Sequence, residues 1–157
     1  MEIGVAERFR ILADGSWLHD GRPVARPALV RLFASVLRRE PDGSYWLVTP
    51  TERAAVSVDD APFVAVAMTV RGSGRDTEVR FRTNVDSWVR LDADHPLRIA
   101  GGTNGPRPYV GVDSGLEALI ARSVYYDLAA RAATGPDGRP GVWSAGGFFA
   151  LVPAAAS

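Results

Sequence analysis

Asp-Gly turns cut this chain into short pieces, and that punctuation limits the fold more than any other feature. Asp14-Gly15 and Asp20-Gly21 bracket Trp17–His19, Pro41-Asp42-Gly43 separates a helical pattern from Tyr45–Thr49, and Pro136-Asp137-Gly138 interrupts the C-terminal part. Asp bonds to its own backbone and Gly accepts positive φ, which are the two needs of a tight turn. Most elements must therefore be short strands. Periodicity marks one helix: Leu29, Leu32, Phe33, Val36 and Leu37 recur at i, i+3, i+4, i+7 and i+8, just after Pro27.

The run Phe63–Val70 is apolar at nearly every position and reads as a strand covered on both faces. Thr77–Thr83 returns antiparallel, with Val79 and Phe81 inward and Glu78, Arg80 and Arg82 outward. Short strands fit Trp88–Leu91, Leu97–Ala100, Tyr109–Val112 and Phe148–Val152, and 101–106 is loop by composition. A second helix is expected from Ser114, with Glu117 completing a capping box and Leu116, Leu119, Ile120, Val124 and Leu128 on its apolar face. Helix, Pro-Asp-Gly, aromatic strand and Pro then occur in the same order over Leu29–Pro50 and Leu116–Pro153. The expectation is an α+β chain of two similar tandem subdomains, residues 1–60 and 61–157, each with antiparallel strands and one principal helix.

Composition removes several function classes. The 157 residues contain no cysteine, which excludes disulfides, thiolate nucleophiles and cysteine-ligated zinc and fits a cytoplasmic location. All 18 basic residues are arginine, so neither a Schiff-base lysine nor a phosphate-loop lysine exists. A formal net charge of +0 gives no global field for nucleic acid or an anionic membrane. No apolar run reaches about 18 residues, so no membrane insertion is expected. Met1–Arg10 carries Glu2, Glu7, Arg8 and Arg10 and lacks a signal-peptide core, so export is not expected.

Motifs with a mechanism are incomplete. Gly72-Ser73-Gly74 has Thr77 where a dinucleotide fingerprint needs glycine, and Val142 precedes Trp143-Ser144-Ala145-Gly146 where a nucleophile elbow needs one. Asp92, Asp94 and His95 match no metal-loop spacing, and neither a metal nor a cofactor is expected. Polar groups instead concentrate in Phe81–Arg98, around the apolar island of Trp88, Val89 and Leu91. If the subdomains pack face to face, this stretch lines their seam. The candidate ligand-binding residues are Thr83, Asn84, Asp86, Trp88, His95, Arg98, Arg107 and Tyr109. Arg98 and Arg107 would be anion forks, Asn84 and Thr83 directional hydrogen-bonders, and Tyr109 or Trp88 a flat wall. A non-catalytic ligand-binding or sensor protein is the leading reading. The alternative is a hydrolase using Asp86, Asp94 or Glu52 with His95.

The segments ILADGSWLHDGRPVARPALVRLFASVLRREPDGSYWLVTP, FRTNVDSWVRLDADHPLRI and PRPYVGVDSGLEALIARSVYYDL resemble the bacterial family called domain of unknown function 1285. The likeness runs from about Phe9 to Pro153. It implies two duplicated subdomains, the second loosely like a pleckstrin-homology fold, and a ligand site at their interface. It also implies a nucleotide-like ligand and a role in signal transduction.

Overall fold

Short strands leave backbone N–H and C=O groups unpaired until neighbours cover them. The computed structural model, which describes residues 9–101 and 105–153, satisfies them in two six-stranded sheets and a small third one. The first sheet comprises β1 (Phe9–Ile11), β2 (Trp17–His19), β3 (Arg22–Pro23), β4 (Leu37–Arg39), β5 (Tyr45–Val48) and β6 (Arg53–Val58). Helix α1 (Pro27–Ser35) lies between β3 and β4 in sequence. The second comprises β7 (Phe63–Arg71), β8 (Glu78–Thr83), β9 (Trp88–Arg90), β10 (Leu97–Ala100), β11 (Arg107–Gly111) and β12 (Glu117–Ile120). Helix α2 (Arg122–Ala129) and a three-stranded sheet of β13 (Ala133–Thr134), β14 (Pro140–Ser144) and β15 (Gly147–Ala150) follow.

The spatial orders are β3-β2-β1-β6-β5-β4 and β10-β11-β12-β7-β8-β9. Reversed, the second order is the first with every strand number raised by six, so the two units share one topology. Each unit is two antiparallel meanders joined through its first and last strands, and those central pairs, β1 with β6 and β7 with β12, are parallel. The chain is thus α+β, built of two similar tandem sheets.

The duplicated unit is not the one the sequence pattern marked out. Helix α1 sits inside the first unit, whereas α2 follows the last strand of the second, so the helices are not counterparts. The shared Pro-Asp-Gly belongs to a turn used three times. The N–H of Gly15, Gly43 and Gly138 donates to the C=O of Leu12, Glu40 and Gly135. The Asp before each glycine accepts from the N–H of the following residue at 2.9, 2.9 and 3.1 Å. With φ of 89°, 88° and 84°, each glycine occupies the left-handed region that a side chain would strain.

Ser114 does not open a helix either. Its φ is 64°, and Glu117–Ile120 is the central strand β12. Leu116, Ala118 and Ile120 are all buried, which is strand alternation. Spacings of four fit both periods, and pairing with β7 decided for strand. Helix α2 keeps only Val124 and Leu128 as its buried face. In α1 the expected stripe also stops early. Leu29 and Leu32 are exposed, and Leu37, fully buried, already belongs to β4. Phe33 remains, meeting Phe9 and Trp17 at ring-centroid distances of 5.2 and 5.7 Å.

One apolar cluster joins the units: Ile11, Trp17 and Leu37 from the first touch the same core as Phe81, Leu91 and Val110 from the second. Burying each such side chain contributes about 1.5–3 kcal/mol. Polar clamps fix the seam. Asn84 Oδ1 accepts from Val64 N–H at 2.9 Å, and Asn84 Nδ2 donates to Gly15 C=O at 3.1 Å. The connecting residues are held from both sides. Asp59 takes the Arg10 fork at 2.9 and 3.1 Å, and Asp60 takes Tyr109 and Arg107 from the second sheet.

Candidate site in the seam between the two units

The seam opens a cleft of about 940 Å³. The first unit supplies Arg39 from the end of β4 and Tyr45 from the start of β5, and Asp60 lies at its linker corner. The second unit supplies His95, Arg98 and Glu117, together with the turn of Asp113, Ser114 and Gly115.

His95 is placed by a tight turn. Asp92 Oδ1 accepts from the N–H of Asp94 and of His95, and also meets His95 Nδ1 at 2.9 Å. On the other side of the ring, His95 Nε2 lies 2.9 Å from Asp113 Oδ1. Both partners are acceptors, so an imidazolium satisfies both contacts at once. Burial pulls the His95 pKa down, but the hydrogen bond to Asp113 and the Asp92 charge outweigh it and leave it raised above its ordinary 6.5. Burial likewise opposes ionisation of Asp92, yet the Arg90 contact and the His95 charge hold its carboxyl below the usual range.

Arg98 forms a bidentate fork with Glu117 at 2.9 and 2.8 Å, reaching past β11, and its guanidinium lies 4.3 Å above the Tyr109 ring. Arg98 and Tyr109 are register partners on β10 and β11, which explains the stacking. The Tyr109 hydroxyl donates to Asp60 at 2.6 Å and accepts from Arg107 Nε at 3.3 Å. Burial, with the neighbouring Asp60 carboxylate, raises the Tyr109 pKa above its ordinary 10.0. Arg107 also pairs with Asp60 directly. Both predicted forks therefore already grip carboxylates. Arg39 makes no ion pair among the described residues.

The other sequence candidates are spread around this centre. Thr83 is buried and organises the β8–β9 turn, with its hydroxyl 2.7 Å from Ser87 Oγ and accepting from the N–H of Val85 and Ser87. Asn84 is the inter-unit clamp. Asp86 has φ 64° and lies 3.6 Å from Arg82 on an exposed turn. Trp88 is 50% exposed on edge strand β9 and lines neither seam cleft. Of the alternative's carboxylates, Asp94 lines the large cleft, Asp86 lines a smaller one beside it, and Glu52 lines neither. Among the described residues, no group of three or more metal-ligating side chains is placed to hold an ion.

Neither Asp60 nor Arg39 is among the eight candidate residues. Asp60 looked like linker, and its partners lie 47 and 49 residues away. Arg39 belongs to strand β4 and not to α1, and its neighbour Glu40 pairs with Arg53 at 2.5 Å. No local signal marks either.

Comparison with known proteins agrees with this two-part architecture. Residues 3–61 match the N-terminal domain of the domain of unknown function DUF1285, and residues 62–151 match the C-terminal domain of the protein of unknown function DUF1285. A crystal structure of a DUF1285 family protein from Silicibacter pomeroyi DSS-3 is similar at a TM-score of 0.87 and 44% identity, covering 93% of this chain and 80% of that one. Another, from Shewanella baltica OS155, is similar at a TM-score of 0.64 and 25% identity, covering 79% of this chain and 91% of that one. No curated protein matches. Two family models that together span nearly all of the chain, and a solved relative of the same build, make it a member of the DUF1285 family.

Proposed function

We propose that this is a non-catalytic ligand-binding protein whose seam cleft takes a nucleotide-like or otherwise phosphorylated small molecule, as a cytoplasmic sensor in signal transduction. The observation that carries the reading is Arg39: a guanidinium without a carboxylate partner among the described residues, lining a cleft to which both units contribute. An arginine fork suits phosphate, and a cleft between packed units is a favoured ligand position. Arg98 adds a second guanidinium to the cleft lining, stacked on the buried Tyr109 ring and already engaged by Glu117. A location in the cytoplasm fits the absence of cysteine. No helix among the described residues is long and apolar enough to cross a membrane.

The hydrolase reading is less supported, because His95 meets a carboxylate at both ring nitrogens, whereas a general base needs a free one. Thermal shift and calorimetry with nucleotides, sugar phosphates and their unphosphorylated counterparts test the proposal. A binder stabilises the native state according to its occupancy. Arg39→Ala should weaken binding of the phosphorylated compound about tenfold to a hundredfold, the equivalent of about 1.5–3 kcal/mol for a charged hydrogen bond. Arg98→Ala should weaken it less. Equal affinity for phosphorylated and unphosphorylated compounds would remove the anion from the reading.

A further inference from the structure

A second cleft, of about 480 Å³, shares the turn of Asp113 and Ser114 with the first but opens toward α1 and the β8–β9 turn. Its size falls in the range of roughly 300–1,000 Å³ common to small-molecule sites. Its floor is apolar and comes from both units: Leu37, Phe63, Val85 and Leu116, all buried. Its rim is charged, and the two signs are divided between the units. Arg31 and Arg38 belong to α1 and β4, while Asp86 and Asp113 belong to turns of the second unit.

These opposite charges do not pair with each other. Arg31 makes no ion pair among the described residues, and Arg38 Nη1 donates instead to the carbonyls of Ser35 and Leu37, at 3.2 and 2.8 Å. Asp86 is within 3.6 Å of Arg82 only, and Asp113 contacts His95 outside the arginine rim. The cleft lining thus combines arginines from the first unit, carboxylates from the second and an apolar floor from both.

We propose that this second cleft binds an α-amino acid with an apolar side chain. Its carboxylate lies toward Arg31 and Arg38, its ammonium toward Asp86 and Asp113, and its side chain on the Leu37, Phe63 and Leu116 floor. Guanidinium forks match a carboxylate, and carboxylates accept from an ammonium. A purely acidic ligand would leave the Asp86 and Asp113 side repelling or idle, and an amine would do the same to the arginines. Of the three, only the zwitterion matches both sets of charges. This goes beyond the phosphorylated ligand of the larger cleft and does not depend on it.

Isothermal titration calorimetry with the whole chain tests the proposal using four probes: L-leucine, L-phenylalanine, 3-phenylpropionate and 2-phenylethylamine. The expected result is saturable binding of at least one amino acid, with the two single-charge analogues of phenylalanine at least about tenfold weaker than phenylalanine. Arg31→Ala and Asp86→Asn should each weaken amino-acid binding about tenfold, in line with losing one charge-assisted contact. Both sites are exposed, and Asn accepts the positive φ of Asp86, so both variants should fold; circular dichroism checks this. Absence of saturation by either amino acid up to about 10 mM overturns the proposal, since affinity would then lie outside the range of a useful site. So does 3-phenylpropionate or 2-phenylethylamine binding as tightly as phenylalanine. Unchanged affinity in both folded variants overturns it as well. Arg39→Ala should leave amino-acid binding intact, which separates failure here from failure of the larger cleft.

Discussion

The two sheets share strand order and direction but differ in what joins their third and fourth strands. In the first unit that connection contains α1, and in the second it is a short turn closed by Asp92 and His95. The same topological position is therefore a nine-residue helix in one copy and a histidine-bearing turn in the other. A sheet whose backbone groups pair internally tolerates such divergence, because loops over a rigid scaffold can change without unpairing the core. The divergence is what makes the seam asymmetric. The turn gives the larger cleft its imidazole, whereas α1 gives the smaller cleft one of its two arginines. Two identical copies packed face to face would present the same groups on both walls.

If the two units fold as one body, breaking their polar clamp should carry the largest effect. Asn84→Ala leaves the Val64 N–H and the Gly15 C=O without their side-chain partner, and each partly buried group so orphaned costs about 1–2 kcal/mol. Chemical denaturation should show a loss of about 2–4 kcal/mol in a single transition. Two separated transitions would mean that the units are stable independently and that the shared core contributes little.

A smaller loss is expected at the linker. Asp60→Asn removes the charge that both Arg107 and Tyr109 meet but keeps an acceptor for the phenol. Arg107 is half exposed, and exposed ion pairs contribute little, so equilibrium unfolding should show about 1 kcal/mol or less. Asp60→Leu, which strips the Tyr109 hydroxyl of its acceptor, should cost about 1–3 kcal/mol. Equal effects of the two substitutions would show that charge, and not the tyrosine hydrogen bond, holds the linker to the second sheet.

The smallest effect should appear on titration of the turn that has no counterpart in the first unit. The folded pKa of His95 is raised above its ordinary 6.5, so its stabilisation is complete below that value and is lost as pH rises through the folded pKa. Melting temperature should therefore fall as pH rises above about 6.5. The slope should shrink in Asp113→Asn, which removes a carboxylate from an almost fully exposed side chain without disturbing packing, and should vanish in His95→Gln. A slope unchanged in His95→Gln would assign the pH dependence to another group. Asp92, whose folded pKa is lowered, acts in the opposite sense: its contribution is present above the ordinary carboxylate range and is lost only in acid.

Local chemistry was legible in the residues and distant pairing was not. The Asp-Gly turns, the Pro27-initiated helix and the antiparallel return after Phe63–Arg71 each depend on residues close in sequence, and each occurs close to where its pattern lies. Of the eight candidate residues, Thr83, Asp86, His95 and Arg98 lie along the two seam clefts, whereas Asn84, Trp88, Arg107 and Tyr109 do not. Duplication could be anticipated, but the segments taken for its copies shared a turn and a helix, not a sheet position. Leu116–Ile120 shows the limit most clearly. Its apolar spacing serves a helix and a strand equally, and only the open edge of β7 beside it, more than fifty residues earlier in the chain, favours the strand. The same separation hid Asp60 and Arg39. A carboxylate becomes the anchor of a tyrosine and an arginine, and an arginine is left without a partner, only when sheets formed by distant segments bring some charges together and hold others apart. Sequence sets short-range backbone preferences of a fraction of a kcal/mol to about 1 kcal/mol per residue. Which charges meet across the seam was decided by the tertiary structure, because burial of the shared core outweighs those preferences.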